Sequence, residues 1–317
     1  MNFSVVVPVY NEVDNLPGMH EALTSALKGL DYELVYVDDG SQDGSDRVLE
    51  GFVAQDPART LVVQFRRNFG QTAAIAAGID HASGEVIVLI DADLQEDPAD
   101  IPVLLGKIEE GNDVVSGWRR ERKDTYLTRT LPSQMANSLI SRVTGVHLHD
   151  NGCTLKAYRR EVLQGFRLYG EMHRFIPAYA ASVGAKIVEV PVTHRPRVRG
   201  KTKYGLERTL KVVLDLFTVK FLLSYSAKPI YLFGGVGSSL VGLSLLSVFV
   251  LLLRRVFLGE HMIRSPLLLM ATMLLILGVQ SIMMGLIAEL LARTYHESQE
   301  KTTYTIRRVL GGRQKPA

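Results

Sequence analysis

The chain has 317 residues, of which 47% are hydrophobic and 22% are charged, and its formal net charge at pH 7 is +3. This composition excludes a disordered or low-complexity protein, and the near balance of 36 basic and 33 acidic side chains gives no sign of a nucleic-acid partner. A single cysteine, Cys153, excludes an intramolecular disulfide framework and any metal site with several cysteine ligands.

Strands and helices alternate through the first part of the chain. Four apolar segments predict buried strands: Phe3–Val9, Tyr32–Val37, Thr60–Phe65 and Val86–Ile90. Helical signals follow the first three of them, from Asp14 or Asn15 with Pro17 in the first turn, from Asp43 to Val53, and from Gln71 to His81. The alternation predicts a Rossmann-like, mostly parallel sheet with helices on both faces. Such sheets bind ligands beyond the carboxyl ends of their strands, and acidic residues follow two of these ends.

The most informative motif is DADLQ at 91–95, directly after the fourth predicted strand. In an extended backbone alternate side chains point the same way, so Asp91, Asp93 and Gln95 are expected to present oxygen ligands on one side. Mg²⁺ or Mn²⁺ suits such ligands when one or two carboxylates share the ion with a substrate diphosphate. The motif therefore predicts a divalent metal site, with an ordinary surface turn as the alternative.

Two further motifs follow strand ends. In DDGS at 38–41 a carboxylate can accept hydrogen bonds from a base or a ribose, or the segment is a capped turn in which Gly40 takes an unusual backbone conformation. In VPVYNE at 7–12, Tyr10 either stacks on a base or packs in the interior. The sequence contains neither G-x-G-x-x-G nor G-x-x-x-x-G-K-[ST], which argues against a dinucleotide dehydrogenase and a P-loop enzyme.

Basic residues precede the C-terminal part of the chain in two patterns. Arg129 and Ser133 lie four residues apart, so a helix would place them on one polar stripe that is able to hold a phosphate at a membrane surface; a solvated helix face is the alternative. Arginines and lysines dominate 194–211, a segment that suits a phosphate-binding loop, an anchor to anionic lipid, or both. The following segment, 206–228, is amphipathic at helical spacing and is expected to lie at the membrane interface, with a soluble core helix as the alternative.

Two uncharged runs, Pro229 to Leu253 and Pro266 to Ala288, are predicted to span a membrane. At about 1.5 Å per residue each run can cross a hydrocarbon core of roughly 30 Å, and the basic residues that flank them argue against a buried hairpin. The basic segment before the first run outweighs Arg254, Arg255 and Arg264 of the loop, so the positive-inside bias places the N-terminal domain and the C-terminal tail in the cytoplasm. Phe3–Val9 is too short for a signal peptide and no cationic region precedes it.

Taken together, VPVYNE, DDGS and DADLQ resemble family 2 glycosyltransferases of the GT-A fold. RNFGQTAAIAAGID at 67–80, DNGCTLKAYRREVL at 150–163 and the two spans are similar to the bacterial polyisoprenyl-phosphate glycosyltransferases. That group includes undecaprenyl-phosphate glucosyl and aminoarabinosyl transferases and resembles dolichyl-phosphate mannose synthases. The resemblance implies an inverting transfer of one sugar from a nucleotide sugar, expected to be UDP-linked, to a polyprenyl phosphate in a bacterial-type inner membrane.

The resemblance also implies roles for individual residues. The donor nucleotide is expected to contact Pro8, Tyr10, Glu12, Asp38, Asp39 and Asp91. The metal, Mg²⁺ or Mn²⁺, is expected at Asp91, Asp93 and Gln95. The acceptor phosphate is expected at Arg119, Arg129 and Ser133, and at Arg197 and Lys203 in a loop that closes near the diphosphate.

Asp150 is the remaining carboxylate candidate. It orients the acceptor, serves as a base, or caps a turn before Gly152. A phosphate nucleophile is already anionic near neutral pH, so the reaction needs positioning and charge screening more than a strong base.

These patterns divide the chain into a GT-A catalytic domain (1–205), an interface helix (206–228), a two-helix transmembrane hairpin (229–292) and a cytoplasmic tail (293–317). Gly234, Ser238 and Gly242 recur at helical spacing and indicate a packing face within or between chains, which leaves a homo-oligomer open.

A processive polysaccharide synthase and a non-enzymatic membrane protein with a sugar-nucleotide fold are the alternative functions. The first usually has more spans and a Q-x-x-R-W motif, and the intact DADLQ argues against the second. The sugar and the choice between uridine and guanosine stay open.

Overall fold

The computed structural model describes residues 2–120, 141, 146–164, 168, 172–195, 230–259, 261, 263, 265–298 and 304–312. The chain forms two compact units. The first unit comprises Met1–Val219 together with Thr302–Ala317, and the second comprises Lys220–Lys301.

The first unit is an α/β domain. Its described strands are β1 (Phe3–Val9), β2 (Tyr32–Asp38), β3 (Thr60–Phe65), β4 (Val86–Leu89), β5 (Val114–Trp118), β6 (Lys156–Arg159), β7 (Ile187–Pro191) and β8 (Ile306–Gly311). Its described helices are α1 (Leu16–Ala26), α2 (Ser45–Gln55), α3 (Gln71–His81), α4 (Ile101–Glu109), α5 (Arg160–Leu163) and α6 (Ile176–Ser182). The four predicted N-terminal strands and the three predicted helices are all present. Their bounds agree within about two residues, which is the usual scatter of element ends.

The strands form one mixed sheet with the order β7-β5-β6-β4-β1-β2-β3-β8 in the described part of the chain. The centre is parallel, since β1 pairs with both β2 and β4, and β2 pairs with β3. Two strands run against their neighbours, because β6 is antiparallel to β4 and β5, and β8 is antiparallel to β3. The predicted parallel arrangement therefore holds for the first four strands, and the whole sheet is mixed.

Helices cover both faces of the central strands, which explains why these strands are apolar throughout rather than alternating. Val5 and Val7 of β1 belong to one core cluster with Leu16 and Leu23 of α1. Val6 points to the opposite face, where α3 packs so closely that a Cβ on Gly78 would collide with it. The absence of a side chain at Gly78 lets this helix approach the sheet.

The C-terminal segment differs from the predicted tail at 293–317. The second long helix continues to Ser298, and Ile306–Gly311 forms strand β8 at the edge of the sheet. Just before β8, Tyr304 stacks on Phe65 with ring centroids 5.1 Å apart and donates a hydrogen bond of 2.7 Å to Asp80. The sequence of β8 contains two adjacent arginines and lacks a clear alternation, so its strand character depends on pairing with a partner far away in the chain.

The second unit consists of two long helices, α7 (Ile230–Leu258) and α8 (Pro266–Ser298). Their apolar stretches, Phe233–Phe257 and Pro266–Ala288, have mean hydropathies of 2.3 and 2.2 and are long enough to cross a membrane. Only 17% and 11% of these stretches are buried within the protein, so their apolar side chains face outward. Outward-facing apolar surface suits lipid contact and does not suit a soluble core helix.

The two long helices pack through small residues and polar contacts. A Cβ on Gly237 would lie 2.6 Å from the carbonyl oxygen of Gly278, so the backbones touch there. Ser244 donates a hydrogen bond of 2.7 Å to the carbonyl oxygen of Ala271, as expected where polar groups lie between transmembrane helices. Gly242, which the sequence placed on the packing face, has no neighbour within 4 Å in the described residues, so the hairpin contact uses a different side of α7.

Candidate active site

Three motifs meet at one edge of the sheet, as predicted. Strands β1 and β2 end together, with Val9 opposite Asp38, and β4 ends beside β1, with Leu89 opposite Val6. The turns that follow these strands contain Tyr10, DDGS and DADLQ. Parallel pairing thus brings together side chains that are distant in sequence.

The predicted geometry of DADLQ is wrong. Residues 91–95 form a turn, not an extended strand, and Leu94 has a positive φ of 60°. Because a left-handed residue reverses the local course of the backbone, the alternation expected for Asp91, Asp93 and Gln95 does not apply. Instead, the backbone N–H of Gln95 donates to a carboxylate oxygen of Asp93 at 3.2 Å.

Asp91 is held by two side chains from other elements. Gln71 at the start of α3 donates to Oδ1 at 2.8 Å, and Thr154 from the segment before β6 donates to Oδ2 at 2.8 Å. Neither residue was predicted as part of the site, although both lie within the stretches that resemble the family. These two contacts fix the orientation of the carboxylate before any ligand binds.

The carboxylates after β4 repel one another in a buried setting. Burial first, and then the charge of Asp93, raise the pKa of Asp91 to about 6. Burial and the charge of Asp91 raise the pKa of Glu96 to about 8. Within the described residues no group of three or more histidine, cysteine or acidic side chains is placed to hold a metal ion. Asp91 and Asp93 lie close enough to interact electrostatically, and two carboxylates fit an ion that takes its other ligands from water and a substrate diphosphate.

The two aspartates of DDGS have different surroundings. The carboxylate of Asp39 accepts hydrogen bonds from the backbone N–H groups of Phe69 and Gly70, at 2.6 and 2.9 Å. Burial raises its pKa to about 6. Asp38 accepts a hydrogen bond of 2.9 Å from the backbone of Ser41 and lines an adjoining pocket. Asp39 thus holds the loop after β3, and Asp38, which is 3% exposed, is the member of the pair that lines the pocket.

Gly40 is required by this packing. Its φ is +71°, and a Cβ there would lie 2.6 Å from the carbonyl carbon of Arg67. The unusual backbone conformation that the sequence suggested is present, and it lets the DDGS turn lie against the loop after β3.

The pocket beside DDGS has a volume of about 230 Å³, smaller than the usual site for a whole drug-sized ligand. Its lining includes Tyr10, Asp38, Ser41 and Arg307. It has the size expected for one end of a larger ligand.

Of the six predicted nucleotide residues, Tyr10 and Asp38 line this pocket, and Pro8, Glu12, Asp39 and Asp91 do not. Pro8 lies within β1 opposite Val37, and the Glu12 carboxylate accepts a hydrogen bond of 2.7 Å from the side chain of Asn15 at the start of α1. In this structure Pro8 is a residue of the sheet, and Glu12 holds the turn into α1.

Arg119 and Asp150, both predicted for the acceptor side, form a two-pronged ion pair. Arg119 Nε donates to Oδ2 at 2.7 Å and Nη2 donates to Oδ1 at 3.0 Å, and the Asp150 side chain is only 1% exposed. Such a pair holds the carboxylate in one orientation. The backbone N–H of Gly152 also donates to Asp150 at 3.1 Å, so the capped-turn interpretation is correct as well.

The neighbourhood of this ion pair includes a buried cation that the sequence did not reveal. Lys156 of β6 is 3% exposed and donates to the backbone carbonyl oxygens of Asn151 and Cys153. Burial lowers its pKa. These contacts hold the turn that presents Asp150 and Thr154. The other predicted acceptor residues, Arg129, Ser133, Arg197 and Lys203, lie outside the described residues.

The fold and the sheet-edge motifs define a GT-A-type glycosyltransferase domain. The family model described as Glycosyl transferase family 2 matches residues 4–166. A dodecaprenyl-phosphate galacturonate synthase of Rhizobium johnstonii is 41% identical over 98% of this chain and 93% of its own length. An undecaprenyl-phosphate 4-deoxy-4-formamido-L-arabinose transferase of Shewanella sediminis is 35% identical over 98% of this chain and 92% of its own length. The chain belongs to glycosyltransferase family 2.

The same fold occurs in a solved enzyme. Glucosyl-3-phosphoglycerate synthase from Mycobacterium tuberculosis, in complex with Mn²⁺, UDP and phosphoglyceric acid, matches with a TM-score of 0.55 and 20% identity. The match covers 69% of this chain and 78% of that one. At this identity the likeness concerns the fold.

Proposed function

We propose that this glycosyltransferase moves a single sugar from a UDP-linked donor to a polyprenyl phosphate in the membrane. The observation that carries the proposal is the match over nearly the whole length, including both long apolar helices, to relatives named for polyprenyl-phosphate products. A soluble acceptor would not require the outward-facing apolar surface of the second unit.

The donor nucleotide binds at the edge where β1, β2 and β4 end. Asp38 is an acceptor for an N–H group of the base or a hydroxyl of the ribose, and Tyr10 offers an aromatic face beside it. The pocket has room for the nucleoside part of the donor, and the diphosphate extends from it toward the carboxylates after β4.

The residues after β4 fit a divalent cation, Mg²⁺ or Mn²⁺. Asp91 and Asp93 would hold the ion, and Gln71 and Thr154 orient Asp91 through the hydrogen bonds already described. When bound, the ion neutralises the charge that appears on the departing nucleoside diphosphate. Bringing two like-charged carboxylates together in a buried place is otherwise unfavourable, and a cation relieves it.

The acceptor side requires a cation that stays in place. Arg119 is held by Asp150, so its charge is fixed near the carboxylates after β4, where it also lowers the pKa of Asp91. Asp150 acts by positioning Arg119; its two oxygens are occupied by guanidinium donors, which leaves it poorly suited to act as a base. Arg129, Ser133, Arg197 and Lys203 are proposed to complete the acceptor phosphate site, on the strength of the family resemblance.

The catalytic domain and the C-terminal strand are proposed to lie on the cytoplasmic side of an inner membrane. Strand β8 follows the second long helix and pairs with β3, so the chain returns to the side from which it left. The basic residues before the first span favour the cytoplasm as that side.

A transfer assay tests the proposal. The purified full chain is incubated with radiolabelled UDP-sugars, undecaprenyl phosphate and Mn²⁺, and label is counted in the lipid extract. Identity is 41% to the galacturonate synthase and 35% to the formamidoarabinose transferase, so a UDP-linked uronic acid is the first donor to test. Label in the lipid extract, lost on adding a chelator and restored by Mn²⁺, supports the proposal. No labelled lipid with any donor would contradict it.

A further inference from the structure

Strand β8 brings an arginine to the pocket beside DDGS. Arg307 lines this pocket together with Tyr10, Asp38 and Ser41, although it follows both long apolar helices in the chain. The side chain is exposed, and it lies in a pocket whose lining also includes Arg66 and Arg67 and the acidic residues Asp38 and Asp46.

A β-bulge explains why this residue differs from its neighbours. Gln64 of β3 pairs with Arg308, and the next residue, Phe65, pairs with Ile306, so Arg307 is the extra residue without a partner in the register. A bulge re-aims the side chain of its extra residue and often lies beside a functional site. The Arg307 side chain therefore does not follow the regular alternation of side chains between the two faces of β8.

Contacts of its neighbours in the chain hold the strand in place, and Arg307 takes no part in them. Arg308 forms an ion pair with Glu50 and donates to the side chain of Gln64. The backbone N–H of Arg66 donates to the carbonyl oxygen of Thr305 at 3.1 Å.

Within the described part of the chain, the Arg307 guanidinium has no ion pair and no side-chain hydrogen bond. The strand is anchored by its neighbours, and this one side chain keeps all its donors for another molecule.

We infer that Arg307 binds the nucleotide of the donor, and that the strand following the membrane hairpin thereby completes the nucleotide pocket. The inference rests on the proposed function, because it takes the ligand of this pocket to be a nucleoside diphosphate. A guanidinium at this place donates to a carbonyl oxygen of the base or to a phosphate oxygen, while Asp38 accepts from the base or ribose. Donor binding then depends on residues that are made only after both spans.

The test is direct binding of UDP to the full chain in detergent, in the presence of Mn²⁺, by calorimetry. Arg307→Ala and Arg307→Gln are expected to weaken UDP binding about 5- to 20-fold, the range for a charge-assisted hydrogen bond at a partly exposed site. Arg307→Lys keeps the charge without the planar fork and is expected to lie between these variants and the wild type. Val309→Ala is the matched control, because Val309 lies on the same strand and is 44% exposed, and it is expected to leave UDP affinity within about twofold.

Kinetics provide a second readout. The KM for the UDP-sugar is expected to rise with the dissociation constant in Arg307→Ala, with kcat little changed and with the wild-type melting temperature. Equal UDP affinity in the wild type, Arg307→Ala and Arg307→Gln would overturn the inference and leave the proposed function standing. A wild-type protein that transfers sugar but binds GDP in preference to UDP, with no effect of Arg307→Ala on either nucleotide, would also overturn it. No nucleotide binding by the wild type would overturn both.

Discussion

The two carboxylate-bearing turns at the sheet edge are held in different ways. In the turn after β4, Asp91 has both oxygens occupied by Gln71 and Thr154, and Asp93 accepts from the backbone of its own turn. In the turn after β2, Asp38 opens onto a pocket that includes the exposed Arg307. The first turn positions the carboxylates proposed to hold the cation, and the second lines the pocket proposed for the nucleoside. Substitutions in the first should therefore reduce the rate, and substitutions in the second should reduce donor affinity.

The largest effect is expected at Asp93. Asp93→Asn removes one of the two carboxylates proposed to hold the divalent cation, and turnover should fall by roughly 10²- to 10³-fold. Transfer of label to lipid measures the rate, and a melting curve checks that the variant is folded. Glu110→Gln, at an exposed position outside the site, is the control. A rate near that of the wild type would show that the turn after β4 does not hold the cation.

The next largest effect concerns stability. Arg119→Ala leaves Asp150 buried without its ion-pair partner, which should lower the free energy of unfolding by about 3–5 kcal/mol, as expected for breaking a buried pair. Denaturation of the purified protein measures it. The double variant Arg119→Ala with Asp150→Asn should recover part of the loss, because the uncompensated charge is gone. An unchanged single variant would mean that the pair contributes nothing.

The membrane hairpin offers a matched pair of substitutions. Gly237→Ile places a side chain against the backbone of Gly278 and should separate α7 from α8, whereas Gly242→Ile meets open space in the described residues. Close packing implies a cost of about 1–3 kcal/mol for the first variant. Thermal inactivation of transfer activity compares them. Equal loss in both variants would contradict the assigned contact.

A smaller effect is expected at Thr154. Thr154→Val removes the donor to Asp91 Oδ2 and should reduce kcat about 10-fold, the range for a residue that orients a metal ligand. The same hydrogen bond lowers the pKa of Asp91, so its loss should also shift the acid limb of the rate profile to higher pH. Thr154→Ser keeps the hydroxyl and should restore both. A rate loss without a pH shift would indicate a packing role alone.

The smallest effect is a pH dependence of stability from Asp39. Burial raises its pKa from 3.8 to about 6, so the folded protein binds this proton more tightly than the unfolded chain does. The contribution of Asp39 to the free energy of unfolding is therefore greatest below about pH 4 and falls as the pH rises toward 6. Melting temperatures across this range should show a shallower fall for Asp39→Asn than for the wild type. An identical slope would contradict the assignment.

The sequence predicted the structural features that depend on the local pattern of apolar and polar residues. The apolar runs predicted β1 to β4, and the expected parallel sheet predicted that Asp38 and Asp91 follow strand ends, where such sheets bind ligands. The extended conformation predicted for DADLQ was wrong because Leu94 takes a left-handed conformation, which composition does not reveal for leucine.

Other features depend on contacts between distant parts of the chain. Strand β8 exists through pairing with β3, and its two arginines give it the appearance of a polar tail. The pairing of Arg119 with Asp150 likewise joins two motifs that the sequence presents separately. Nothing in local spacing encodes such contacts.

A cryo-EM structure of the full chain with UDP and Mn²⁺ would locate the nucleotide and the ion together. We expect the nucleoside beside Tyr10 and Asp38, Arg307 in contact with the nucleotide, and the ion in contact with the diphosphate and the carboxylates of Asp91 and Asp93. A nucleotide bound away from the ends of β1, β2 and β4, or an ion that contacts neither aspartate, would contradict this expectation.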